Sequence, residues 1–123
     1  MDGQASAKPS ILIVEDDTMI RMMIVDMVED LGYAVAAEAS EIDEALRLLQ
    51  TTAFDVAILD VNLNGKIVLP VAEALRARGL PFVFSTGYGA EGVPEGFRGE
   101  LILQKPFQMD ALKKAIETAL GMS

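Results

Sequence analysis

Residues 11–17 read Ile11-Leu12-Ile13-Val14-Glu15-Asp16-Asp17. Side chains alternate sides along a strand, so four consecutive apolar residues describe a strand buried on both faces. That is the environment of a parallel sheet covered by helices, and here the strand stops abruptly on carboxylates. Asp17 or Thr18 then opens a helix running to Leu31, with Gly32 as its stop. Ile20, Ile24, Met27, Val28 and Leu31 share one face of it.

The same alternation continues outward. Tyr33–Glu38 is a second strand, less apolar than the first and therefore an edge. Ser40 is an N-cap candidate for a helix carrying Ile42, Ala45, Leu46 and Leu49. Phe54–Leu59 is a third strand leading into Asp60, and Val68, Val71, Ala72 and Leu75 stripe a helix ending at Gly79. Pro81–Ser85 and Leu101–Leu103 are the fourth and fifth strands. Leu112, Ala115, Ile116, Ala119 and Leu120 mark a last helix closed by Gly121. Strand followed by helix, repeated, gives a doubly wound α/β fold with helices on both faces of a parallel sheet. One crossover departs from the pattern. GYGAEGVPEGFRG, residues 87–99, holds five glycines and one proline. At about 1 kcal/mol per Gly and 3 kcal/mol per Pro relative to Ala, a fourth helix there is weak or disordered. The segment from Gly87 to Gly99 is expected to be mobile.

Composition excludes several kinds of chemistry. The 123 residues suit one globular domain, 11–121, after a disordered lead-in over 1–10. With 19 acidic against 10 basic residues the net charge is −9, which disfavours nucleic acid and anionic membrane surfaces as partners. There is no Cys and no His, so thiol nucleophiles, disulfides, imidazole bases and zinc sites are excluded, and the cytoplasm is the expected compartment. Any bound metal is a hard cation held by oxygen.

Ligands of open α/β sheets bind at the carboxyl ends of the strands. Those ends carry Glu15 and Asp16, Asp60, Thr86 and Lys105. Clustered carboxylates repel one another unless a cation sits among them, and Mg²⁺ takes such ligands. A carboxylate so placed is a nucleophile toward phosphorus, with the hydroxyl and the ammonium to stabilise phosphoryl oxygens. Asp60, central and at the end of an apolar strand, is the expected nucleophile.

These segments resemble the receiver domain of two-component response regulators. ILIVEDD is similar to the family's first strand and acidic pair, AILDVNL to its phosphoacceptor strand, FSTG to its switch-Thr strand, and LQKPF to its Lys-Pro segment. The resemblance covers residues 11–121 and implies the flavodoxin-like receiver fold, a five-stranded sheet in the order 2-1-3-4-5. It further implies that Asp60 accepts a phosphoryl group from a histidine kinase, in a switch rather than an enzyme. Asp16, Asp60, Glu15 (through water) and the Asn62 carbonyl would hold Mg²⁺; pairing Asp16 with Asp17 instead is the alternative alignment. Thr86 would move toward the phosphoryl group and Lys105 would pair with it, aimed by a cis peptide to Pro106. PFVFSTGYG, residues 81–89, resembles the PFxFATGY signature of single-domain alphaproteobacterial receivers, with Ser85 in place of Ala. That subgroup implies an HWE-type kinase as partner, a downstream His phosphotransfer or target protein, and no attached output domain. The family's usual aromatic three residues before the Lys is Ile102 here, so Thr–aromatic coupling in its usual form is not expected. Gly87 and Tyr88 border the site, Tyr88 as a shield for the acyl phosphate.

Met19, Met22, Met23 and Met27 crowd the first helix, mostly as core filler. By helical angle, Met22 and Val25 point away from the core face and, with Met19, form a candidate kinase-docking patch. Two other readings compete with the switch. A phosphatase of the haloacid dehalogenase type wants an acid two residues after the nucleophile, where Asn62 stands. A pseudo-receiver binds partners without phosphorylation, yet all five site residues are present.

Overall fold

The structure is a computed structural model and describes residues 8–87 and 92–121. Its elements follow in the order β1 (Ser10–Val14), α1 (Thr18–Asp30), β2 (Ala34–Ala39), α2 (Ile42–Thr51), β3 (Val56–Asp60), β4 (Asn62–Leu63), β5 (Lys66–Ile67), α3 (Leu69–Ala77), β6 (Phe82–Thr86), β7 (Leu101–Gln104) and α4 (Met109–Ala119). Five strands form a parallel sheet in the order β2-β1-β3-β6-β7, the expected doubly wound arrangement with β2 at an edge.

Period-two alternation divides the core into two layers. Leu12, Val14, Ala57, Leu59, Phe82 and Phe84 face Ala45 and Leu49 of α2 and Val71, Ala72 and Leu75 of α3. Ile11, Ile13, Val56, Ile58, Val83 and Leu103 face Ile24 and Val28 of α1 and Leu112, Ala115 and Ile116 of α4. The continuous apolar runs of β1, β3 and β6 are required because each of these strands supplies both layers.

Several local expectations need correcting. Ser40 is not the N-cap of α2. Glu41 occupies that position without a capping side-chain bond, while the Ser40 N–H donates to the Glu44 carboxylate at 2.9 Å. The methionines of α1 are mostly not core filler: Met19, Met22 and Met23 are 80%, 60% and 52% exposed, and only Met27 packs against the core. Val25 does not point away; it is partly buried against the α1–α4 layer. β1 begins at Ser10, whose N–H donates to Asp55 Oδ2 at 2.7 Å, and Pro9 already accepts a hydrogen bond from Ala34. Residues 1–7, the rest of the expected lead-in, lie outside the described residues.

Among the described residues between Thr86 and Leu101 there is no α-helix. Two apolar side chains cover the sheet there instead. Val93 and Phe97 are buried in the α2–α3 layer, and the Phe97 ring lies 6.1 Å from Phe84 and 6.3 Å from Phe82. Arg76, in the last turn of α3, places its guanidinium 3.7 Å over the Phe97 ring and donates to Gly96 O and Glu100. Aromatic contacts and a cation over a ring thus replace the helix that five glycines disfavour.

A short antiparallel ribbon, absent from the sequence reading, follows β3. Asn62 pairs with Ile67 and Leu63 with Lys66. Asn64 (φ 54°) and Gly65 (φ 83°) link them, both in the left-handed region, as a two-residue type I′ turn demands. The ribbon lifts the chain off the end of β3 and brings it back over the carboxyl edge of the sheet.

Candidate functional site

β1 and β3 are neighbours, and both end at the same edge. Glu15 follows β1 and Asp60 is the last residue of β3. Glu15, Asp16 and Asp60 each bring a carboxylate oxygen within 4.8 Å of the others. Glu15 is 1% exposed and Asp60 7%, with Asp16 half-buried at the rim.

Lys105 enters from the far side. β7 is the outer neighbour of β6, and the Lys105 N–H donates to Thr86 O at 2.8 Å, extending the β6–β7 pairing one residue. Its Nζ donates to Glu15 Oε1 at 2.8 Å and stands 3.4 Å from Asp60 Oδ1. The Lys105–Pro106 peptide is cis, as expected. Thr86, buried, ends β6, and Ile102 is partly buried in register with Phe84. A cleft of about 580 Å³ opens above these groups, lined by Asp60, Asn62, Thr86, Gly87 and Lys105 among the described residues. Tyr88 lies outside the described residues. Of the proposed docking residues, Met19 and Met22 are exposed on α1, with Met23 beside them.

Charge sets the protonation of the group. Burial pushes Asp60 up to about 7, the Glu15 charge adds to this, and Lys105 offsets part of it. Partial burial alone would raise Asp16, but the Asn64 N–H at 3.0 Å and neighbouring hydrogen bonds outweigh it and hold the carboxyl below its ordinary value. Burial would lower Lys105; the bond to Glu15 and the charge of Asp60 prevail and hold it above. The ammonium therefore stays charged while the most buried acids compete for it. Three hard oxygen donors with Lys105 as the one cation paired to them among the described residues fit a divalent cation such as Mg²⁺.

Some supporting residues escaped the sequence reading. The Asn64 N–H binds Asp16 and the Asn62 side chain accepts from Gly65 at 2.8 Å, so the ribbon is tied to the acidic rim. The Asn64-Gly65 dipeptide was the available signal. Arg21 donates to the Glu15 carbonyl at 2.8 Å and to Glu38 at 3.2 Å, with no signal beyond its place one turn into α1. The buried Ser85 hydroxyl has no hydrogen-bond partner among the described residues.

A family model described as the response regulator receiver domain matches residues 11–117. The chain belongs to this receiver family. It is a receiver domain of two-component signalling, and the flavodoxin-like architecture above is the family's. The chain is 29% identical over 124 residues to the transcriptional regulatory protein PdtaR of Mycobacterium tuberculosis, covering 98% of this chain and 60% of PdtaR. It thus spans about three-fifths of that relative's length. It is 32% identical to the chemotaxis protein CheY of Pseudomonas aeruginosa, over 87% of this chain and 92% of that one. Among solved structures, SdrG from Sphingomonas melonis Fr1 superposes with a TM-score of 0.82 at 43% identity, covering 95% of this chain and 98% of SdrG. The BeF3-activated conformation of SdrG from Pseudomonas melonis Fr1 gives 0.80 at 45% identity, with 94% and 98% covered. Among the described residues of this receiver, no helix is long and apolar enough to cross a membrane.

Proposed function

We propose that this receiver is a phosphorylation switch in which Asp60 accepts a phosphoryl group from the phosphohistidine of a histidine kinase. The observation that carries the reading is the position of Asp60, buried at the end of β3 between two further carboxylates and an ammonium. A carboxylate oxygen of Asp60 forms the bond to phosphorus as the P–N bond breaks, and the electron pair leaves with the imidazole. Glu15, Asp16, Asp60 and the Asn62 carbonyl would hold Mg²⁺, which when bound neutralises charge on the carboxylates and on phosphoryl oxygens. Lys105, already 3.4 Å from Asp60, turns its ammonium to a phosphoryl oxygen, and Thr86 supplies a hydroxyl to another. A BeF3-activated form of SdrG supports the reading, because beryllofluoride on a carboxylate has the shape and charge of a phosphoryl group.

The donor's class follows from the same reading. A histidine kinase, of HWE type if the PFVFSTGYG likeness holds, docks against α1 in the cytoplasm, and the product is passed to, or read by, a partner protein. The protein acts as a switch, without turnover of an outside substrate. Met22→Glu is expected to slow phosphotransfer from the kinase about tenfold, because it puts a charge into an apolar contact, while phosphorylation by acetyl phosphate stays unchanged. Equal rates from the kinase would remove Met22 from the docking face.

Intact mass after incubation with acetyl phosphate tests the main reading. One Mg²⁺-dependent phosphoryl adduct is expected, absent in Asp60→Ala. A folded wild-type protein that gains no adduct from acetyl phosphate or from a kinase would make this a phosphorylation-independent pseudo-receiver.

A further inference from the structure

We infer that Arg21 is a positioning residue of the cation site, fixing the direction of Asp16 through the peptide between Glu15 and Asp16. The inference rests on the reading of Glu15, Asp16 and Asp60 as cation ligands.

The corner between β1 and α1 must turn one carboxylate inward and the next outward within two residues. Glu15 goes in, where Lys105 holds Oε1 and the Asp17 N–H holds Oε2 at 3.1 Å. Its own N–H stays in the sheet, donating to Ala39 O at 2.9 Å. The Glu15 carbonyl has left the sheet, and Arg21 Nη1 takes it at 2.8 Å. That carbonyl belongs to the peptide plane whose rotation sets φ of Asp16, and hence the direction of the Asp16 carboxylate. Arg21 is itself held. Its Nε donates to Glu38 of β2 at 3.2 Å, its side chain is only 19% exposed, and its backbone N–H closes the first turn of α1 on Asp17 O. The planar guanidinium presents two donors in fixed geometry, which the single ammonium of Lys does not. One side chain therefore joins β2, the end of β1 and α1 at the residue that precedes Asp16.

Electrostatics and geometry give opposite signs here, which makes the inference decisive to test. Arg21 brings a positive charge toward a group of carboxylates that takes a cation. If charge alone mattered, removing it would tighten cation binding. If it positions Asp16, removing it loosens binding, and residues that orient metal ligands typically contribute 10-fold or more in affinity.

Mg²⁺ binding to the whole chain, measured by isothermal titration calorimetry, separates the two. Arg21→Ala is expected to weaken Mg²⁺ binding about 10-fold while the melting temperature of the metal-free protein shifts by only a few degrees. Arg21→Lys, whose longer stem keeps the charge and one donor but not the fixed pair of donors, is expected to bind Mg²⁺ with an affinity between those of wild type and Arg21→Ala. Should Arg21→Ala not fold, Arg21→Met keeps the apolar stem and serves the same comparison. Binding by Arg21→Ala as tight as wild type or tighter overturns the positioning role. A wild-type protein that binds no Mg²⁺ overturns instead the cation-site reading on which it rests.

Discussion

Replacing Lys105 by Met is expected to lower stability by about 2–3 kcal/mol at pH 8, the largest loss of any single substitution at the site. The ammonium is the partner of Glu15, which is 1% exposed, and of Asp60 beyond it. Deleting one member of a buried ion pair leaves the other charged and desolvated, at a typical cost of about 3–5 kcal/mol. The figure is reduced here because the Lys105 side chain retains 20% exposure and water can enter where it stood. Urea unfolding at pH 8 measures the loss. Glu15→Gln in the same chain is expected to restore much of it, since the unpaired charge is then gone, and a double-mutant cycle reports that coupling. Simple addition of the two losses would mean that the pair is not the source of the cost. Phosphorylation by acetyl phosphate should fall in Lys105→Met whether or not Glu15 is neutralised.

The second large effect is a pH dependence that runs opposite to that of most carboxylates. Asp60 is pushed up to about 7 in the folded protein, from 3.8 in the unfolded chain. Between those values the folded state holds a proton that the unfolded state has lost. Without Mg²⁺, stability therefore falls as pH rises from about 4 to 7 and then levels. Three units would correspond to about 4 kcal/mol at most, and coupling to Glu15 reduces the share that belongs to Asp60. Asp60→Asn is expected to flatten this interval and to be about 1–3 kcal/mol more stable than wild type at pH 8. Saturating Mg²⁺ should raise the wild-type melting temperature more at pH 8 than at pH 5.5, where the site must first release protons. In Asp60→Asn most of that increment should vanish. Thermal melts at the two pH values, with Mg²⁺ or with EDTA, provide the comparison. A wild-type protein whose Mg²⁺-free stability rises from pH 5 to 7 would contradict the account.

The two faces of the sheet and the convergence of Glu15, Asp16, Asp60, Thr86 and Lys105 were legible in the residues, because they follow from period-two alternation and from where apolar runs stop, whereas the strand order came from the resemblance to receiver domains. The misreadings share a physical cause. The methionines of α1 read mostly as core filler on hydrophobicity, but α1 buries one narrow stripe, Ile24 and Val28, and leaves Met19 and Met23 outside along with Met22, whose outward direction the helical angle did give. Val25 was assigned outward by angle alone, yet it is partly buried against the same core layer as Ile24 and Val28. Ser40 has the right chemistry for a cap, yet its backbone is held by Glu44 and its carbonyl by Asn64, so α2 starts later. The contacts of Arg21 cannot be read at all from composition or spacing. They depend on a strand 17 residues away in sequence placing Glu38 opposite it.

The Lys105–Glu15 bond joins residues 90 positions apart. During synthesis Glu15 and Asp60 both emerge well before Lys105, as does β6, whose outer edge waits for β7. Until the last strand arrives, that edge is an open template for foreign strands and the inner carboxylates have no counter-charge. The same closing step pairs the exposed backbone and neutralises the buried acids. Completion of the sheet and maturation of the site are therefore one event, and a chain cut short before residue 101 would lack both.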